Sequence, residues 1–155
     1  MRTRRVIFTL AGLVCLGLVV MTGTIIHSRA DGQVRRQVIV PEEDRFTPFA
    51  ITIHSGDSVQ WVNNDSDDHT IVSDDPFTTA GHKHTDLLLR GTESNGGHPG
   101  TVTLRFQRPG MFVYYCKFHA HLDSFHQPAA IGLRGGIPDT PMMGVITVLP
   151  DDDDD

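Results

Sequence analysis

In the run VYYCKFHAH, residues 113–121, Cys116 is followed after two intervening residues by His119. A thiolate and an imidazole leaving one strand end can reach a common metal ion. Thiolate selects Cu(I), zinc and iron–sulfur iron, and imidazole suits copper and zinc. The only other cysteine, Cys15, lies in the first 30 residues, so residues 31–155 hold one thiol. That rules out an internal disulfide, four-thiolate and two-thiolate zinc sites, and an iron–sulfur cluster. One thiolate, two imidazoles and a weak thioether is the remaining soft set, and it is the one that suits a copper electron-transfer site. The second imidazole must come from elsewhere in the chain. His69 is the candidate, because it follows the turn NNDSDD and opens the short run HTIVS. The thioether is sought ahead of the last apolar run, where PMMG supplies Met142 and Met143. Such a mixed donor set accommodates both Cu(I) and Cu(II) with little rearrangement.

Other histidines have a weaker claim. His82 and His84 in HKH lie on one side of an extended segment, and with His98 they make a candidate second copper or zinc site. His121 and His126 follow His119 closely and are candidate competitors for the first ion. For all five, solvated loop positions are the simpler reading. His54, at a strand end before a turn, is read as exposed.

The elements that must position these residues are short and β-like. QVIVP (37–41), FAITIH (49–54), SVQWVN (58–63), HTIVS (69–73), TVTLRF (101–106), MFVYYC (111–116) and MGVITVL (143–149) are separated by Gly, Pro, Asn and Asp clusters. This pattern predicts an all-β sandwich or barrel. Phe49, Ile51 and Ile53 are expected on one face of the second run, Val59, Trp61 and Asn63 on one face of the third, and Trp61 and Phe112 in the core. Leu87–Leu89 reads equally as a strand or a helical turn, and the Gly/Pro-rich stretch 120–141 reads as a long loop. The first 30 residues form a separate element: basic MRTRR, an uncharged apolar run from Val6 to Ile26, then HSRA with small residues at the positions of an export cleavage site. They predict an export signal peptide cut after Ala30, with membrane attachment through residues 6–26 as the alternative. A domain over 31–150 follows, and DDDDD at 151–155 is a solvated acidic tail. Without the leader, 9 Lys and Arg face 19 Asp and Glu, a formal charge of −10. An acidic domain with no basic stripe argues against nucleic acid as a partner.

The segments FTPFAITIHSGDSVQWVNND, HTIVSDD, FQRPGMFVYYCKFH and MMGVITV, in that order, resemble those of a cupredoxin, specifically a plastocyanin-like copper protein. The resemblance implies a Greek-key β-sandwich of about 7–8 strands and one type 1 (blue) copper cycling between Cu(I) and Cu(II). It implies His69 and His119 as imidazole ligands, Cys116 as thiolate and Met142 as axial ligand, since Met142 and Gly144 match the family's Met-x-Gly. Met143 then points into packing. The implied function is single-domain electron transport in the periplasm or another extracytoplasmic space. The implied partner is a redox protein or membrane electron-transfer complex with a basic docking face, meeting the protein near His119. Two features depart from the family. Twenty-two residues, Ala120 to Pro141, separate His119 from Met142 where the family has a few. Thr70 stands where plastocyanin-like proteins often carry Asn, and its hydroxyl is expected to tie the two ligand loops. The long insertion keeps open a nitrosocyanin-like site with a free coordination position, and the extra histidines keep open a copper-binding or delivery protein. A multicopper oxidase would flank the cysteine with histidines; here the neighbours are Tyr115 and Lys117.

Overall fold

The structure, a computed structural model, describes residues 34–74, 80–82, 84–134 and 137–151. The expected leader and all but the first residue of the acidic tail lie outside the described residues.

Two sheets face each other across an aromatic core. The first contains β1 (Arg35–Val40), β3 (Ser58–Asn63) and β6 (Gly100–Arg105), in the order β1-β3-β6. The second contains β2 (Ala50–His54), β4 (His69–Ser73), β5 (Thr85–Leu89), β7 (Gly110–Tyr115) and β12 (Met143–Leu149), in the order β2-β12-β7-β4-β5. β1 runs parallel to β3 and β2 parallel to β12, while β7 is antiparallel to both β12 and β4. This is the expected all-β sandwich. The segment around Leu87–Leu89 is a strand, paired to β4 with Leu89 opposite His69.

Burial follows the period of two that a pleated strand imposes. Gly144, Ile146 and Val148 of β12 are buried while Val145 and Thr147 are only partly so. In β3, Val59, Trp61 and Asn63 are buried, as expected, and Ser58 with them. Trp61 meets Tyr114 edge-on with ring centroids 5.3 Å apart, and Phe46 meets Tyr114 the same way at 4.8 Å. Truncating an aromatic of this kind to Ala costs about 3–5 kcal/mol. Phe49 departs from expectation: it is 55% exposed. Pairing of β2 with β12 begins at Ala50, so Phe49 precedes the paired stretch.

The stretch 120–141 was expected as a loop and instead holds two hairpins. β8 (Ala120–Leu122) pairs with β9 (Pro128–Ala130), and β10 (Leu133–Arg134) with β11 (Ile137–Pro138). The first hairpin has a structural role. Ala120 and Leu122 pack with Val72, Tyr115 and Met143 in a second apolar cluster, apart from the main core. That covering buries Val72 on one side of β4 while Ile71 beside it lies in the main core, so the strand is buried where a one-sided strand would alternate. The sequence signal was missed because the runs are three residues long and rich in Pro and Ala, below the length at which alternation can be read.

Candidate metal centre

His69 is delivered by a turn built from its own side chains. Asn63, buried at the end of β3, donates from Nδ2 to the carbonyls of Asp67 (2.8 Å) and Leu89 (3.2 Å) and accepts from the Asp65 N–H at Oδ1 (2.9 Å). Asp68 accepts at Oδ1 from Gly91 N (2.7 Å) and from the Ser94 hydroxyl, and Thr92 N donates to the Asp65 carbonyl (2.8 Å). These contacts clamp 63–68 against 91–94. Gly91 is required at the seam, because a Cβ there would collide with the carbonyl oxygens of Ser66 and Asp67. This network is why NNDSDD is followed by a fixed, fully buried imidazole rather than a surface histidine.

Cys116 and His119 come from the turn that ends β7. The Cys116 carbonyl accepts from His119 N (3.0 Å) and Ala120 N (2.8 Å), which curls the chain back over the thiol. Cys116 N donates to the Met142 carbonyl (2.9 Å), so the loop before β12 is tied to the cysteine. Thr70 performs the expected tie between the ligand loops: its Oγ1 accepts from Lys117 N (3.0 Å) and donates toward Cys116 Sγ (3.8 Å).

The three expected donors converge. Cys116 Sγ lies 3.7 Å from His69 Nδ1, and one donor atom from each of His69, Cys116 and His119 falls within 4.8 Å of the others. The two imidazole centroids are 5.1 Å apart. Cys116 and His69 are buried, and the His119 side chain is 31% exposed, so it stands between the site and the surface. His119 Nδ1 is buried with no hydrogen-bond partner in the protein. A buried imidazole nitrogen left without a partner is costly, unless its lone pair meets a metal. A soft thiolate beside two imidazoles fits copper by its chemistry as well as by this orphaned atom.

Met142 is 1% exposed and belongs to the main core with Cys116. Met143, one residue on, faces the other side of the sheet and packs on the second cluster with Tyr115 and Val72. Gly144, opposite Tyr114 in the pairing of β12 with β7, has no room for a side chain, since a Cβ would collide with the Tyr114 ring and hydroxyl. The glycine two residues after Met142 therefore lets β12 pass directly across Tyr114.

The remaining histidines sit elsewhere. The His82 ring packs edge-on against Phe106 (5.0 Å) and Phe112 (5.8 Å) at partial burial. His84, His98, His121 and His126 are exposed, and His54 is partly buried. Among the described residues, none of these six falls in either of the two groups whose donors converge.

The second such group was not anticipated. Asp44, Asp65 and His69 bring one donor atom each within 4.8 Å. Asp65 Oδ2 lies 3.3 Å from His69 Nε2, and Asp44 Oδ1 lies 3.5 Å from His119 Nε2. Each imidazole therefore carries a carboxylate at its Nε2. Burial pushes the Asp65 carboxyl up, but hydrogen bonds from His69 and from the backbone of Asp67 and Ser66 outweigh it and hold the group below its ordinary value. Asp65 was legible only as part of a turn, and nothing in the sequence connects Asp44 to His119.

Comparison with known proteins places the chain in a family. Residues 39–124 match the profile of copper-binding proteins of the plastocyanin/azurin family. A chloroplast plastocyanin from Tetradesmus obliquus is 37% identical over 75 residues, covering 48% of this chain and 50% of the relative. The chain thus spans about half the length of that relative. Plastocyanin from Scenedesmus fuscus is 32% identical over 79 residues, covering 48% of this chain and 74% of the relative. Among solved structures, a purple cupredoxin from Nitrosopumilus maritimus aligns at 22% identity and a TM-score of 0.46, over 73% of this chain and 98% of that one. Amicyanin from Paracoccus versutus aligns at 17% identity and a TM-score of 0.47, over 77% and 88%. The chain belongs to the plastocyanin/azurin family of copper-binding proteins, and its cofactor is a single copper ion.

Proposed function

We propose that the protein is a one-electron carrier rather than an enzyme, with His69, Cys116, His119 and Met142 as the ligand set. The observation that carries the reading is the approach of Cys116 Sγ to His69 Nδ1 at 3.7 Å, with the buried, unpartnered Nδ1 of His119 completing the group. Copper bound there supplies a Cu(I)/Cu(II) couple. The chain does the rest. Cys116 offers the thiolate, and the Thr70 hydroxyl steadies it. His69 presents Nδ1 toward the sulfur, and His119 adds a ring nitrogen to the same group. Met142 stays in the core beside Cys116 despite the insertion, because the insertion folds as hairpins and its end is tied back through the Met142 carbonyl. That placement favours an axial methionine over a nitrosocyanin-like open position. Clamped loops on a rigid sandwich keep the donors from rearranging, which favours fast electron exchange.

His119 and the neighbouring Phe118, which is 48% exposed, form the natural point of electron entry and exit. Glu42, Glu43, Asp44, Asp65, Asp67 and Asp139 line one hollow at this end of the molecule, where the basic side chain of Arg45 is paired with Glu43. Together with the −10 charge of residues 31–155 they suit a redox partner with a basic face, by electrostatic steering. The setting is an extracytoplasmic one, consistent with the sequence of residues 1–30. No helix among the described residues is long and apolar enough to cross a membrane.

Copper loading followed by voltammetry and visible absorption tests the reading. We expect one copper per chain, an intense thiolate-to-copper band and a reversible one-electron wave. Cys116→Ser should fold and lose the band, since serine keeps the shape of the buried side chain and removes the sulfur. A wild-type protein with no reversible wave, or a Cys116→Ser variant that keeps the band, overturns the reading.

A further inference from the structure

We infer that Asp65 and Asp44 are positioning residues for the copper: they fix the two ligand imidazoles from behind and lower the reduction potential of the ion between them. The inference rests on the ligand set proposed above.

Neither carboxylate is in that set. Asp65 sits on Nε2 of His69, whose Nδ1 faces Cys116, and Asp44 sits on Nε2 of His119, whose Nδ1 is the buried atom without a protein partner. Asp65 Oδ2 holds His69 Nε2 at 3.3 Å. Its other oxygen, Oδ1, accepts from the Ser66 hydroxyl (3.2 Å) and from Asp67 N (3.4 Å), and its backbone is pinned by Asn63 and Thr92. The carboxylate therefore has one orientation. It keeps the proton of His69 on Nε2 and leaves the Nδ1 lone pair facing Cys116. Asp44 Oδ1 stands 3.5 Å from His119 Nε2 and biases that ring in the same way. A carboxylate behind a ligating imidazole sets the tautomer and orientation and raises the basicity of the ligand nitrogen. A fixed negative charge also favours the more highly charged oxidation state, so both residues stabilise Cu(II) over Cu(I).

The two contributions differ in size for a structural reason. The Asp65 side chain is 11% exposed and that of Asp44 is 57% exposed. Water and salt screen an exposed charge far more than a buried one. Asp65 carries the larger effect, and the effect of Asp44 depends on ionic strength.

The test measures reduction potentials of copper-loaded wild type, Asp65→Asn and Asp44→Asn, with apo melting temperatures in parallel. Asparagine keeps the shape and one oxygen acceptor while removing the charge. Outer-shell partners of this kind are worth about 10–100-fold in metal affinity. We expect Asp65→Asn to reduce the Cu(II)-over-Cu(I) preference about tenfold, which for one electron is a rise of about 59 mV. Asp44→Asn should raise the potential less, and that rise should shrink as salt is taken toward about 1 M, where the Debye length is about 3 Å. A purely structural role for Asp65 moves the apo melting temperature and leaves the potential alone, and that result overturns the inference. Should Asp65→Asn not fold, Asp44→Asn decides: no rise at low salt overturns it. If wild type itself shows neither the thiolate band nor a reversible wave, the ligand set has failed. If wild type shows both and the variants do not move, only this inference has failed.

Discussion

Replacing Thr70 with valine isolates the tie between the two ligand loops. The side chains have the same branched shape, and Thr70 lies in the middle of the sheet at 1% exposure, so Thr70→Val opens no cavity and keeps the strand preference of β4. What disappears is one oxygen. Lys117 N loses its 3.0 Å acceptor and Cys116 Sγ loses its 3.8 Å donor. Leaving a partly buried N–H without an acceptor costs about 1–3 kcal/mol. For a domain of this size each kcal/mol is worth about 4 °C, so the apo protein should melt roughly 4–12 °C lower. The thiolate band should persist, because all the ligands remain, while the potential falls because the reduced site loses a hydrogen bond to its sulfur. Thr70→Ser restores the hydroxyl and should recover most of the stability apart from about 1 kcal/mol for the lost methyl. Differential scanning calorimetry of the three apo proteins, with voltammetry of the loaded forms, reads both effects. Equal melting temperatures for wild type and Thr70→Val, or a potential that is the same in the loaded valine and wild-type proteins, would refute the role assigned to the hydroxyl.

Further outcomes follow from the same geometry. Met142→Leu should raise the potential and keep the visible band, whereas Met143→Leu should change the potential little; voltammetry of both variants checks this, and the reverse pattern moves the axial role to Met143. Gly91→Ala should cost more than about 2 kcal/mol by chemical denaturation and weaken copper binding, because its Cβ forces 91 away from the Ser66 and Asp67 carbonyls that hold the His69 turn. The phenol of Tyr115 is pushed up to about 12 by burial and by the Asp74 carboxylate beside it. Its proton is kept in the fold when the unfolded chain has released it, so this contribution to stability is complete below about pH 10 and is lost as pH rises toward about 12. Urea midpoints measured across that range should fall less steeply for Tyr115→Phe.

What could be read from the sequence was what depends on local pattern. The alternation of SVQWVN put Trp61 and Asn63 on the buried face, and the spacing of Cys116 and His119 after β7 was enough to identify soft-metal chemistry. Bringing His69 to them needed the order of segments, because the 46 residues between His69 and Cys116 are closed by the pairing of β4 with β7 and by the Thr70 hydroxyl. The insertion was misread because its strands are too short to show a period and their burial comes from Val72 and Tyr115, on other strands. Asp44 and Asp65 were missed for a related reason. A carboxylate becomes a partner of a histidine ring only through the fold, and an acidic residue in a turn is ordinarily solvated.

One sulfur and two imidazole nitrogens sharing a copper ion leave a signature in X-ray absorption at the copper edge of the loaded protein. One short copper–sulfur bond from Cys116 with two nitrogen neighbours is expected, and that bond should be lost in Cys116→Ser. Copper with only nitrogen and oxygen neighbours in the loaded wild-type protein would overturn the assignment.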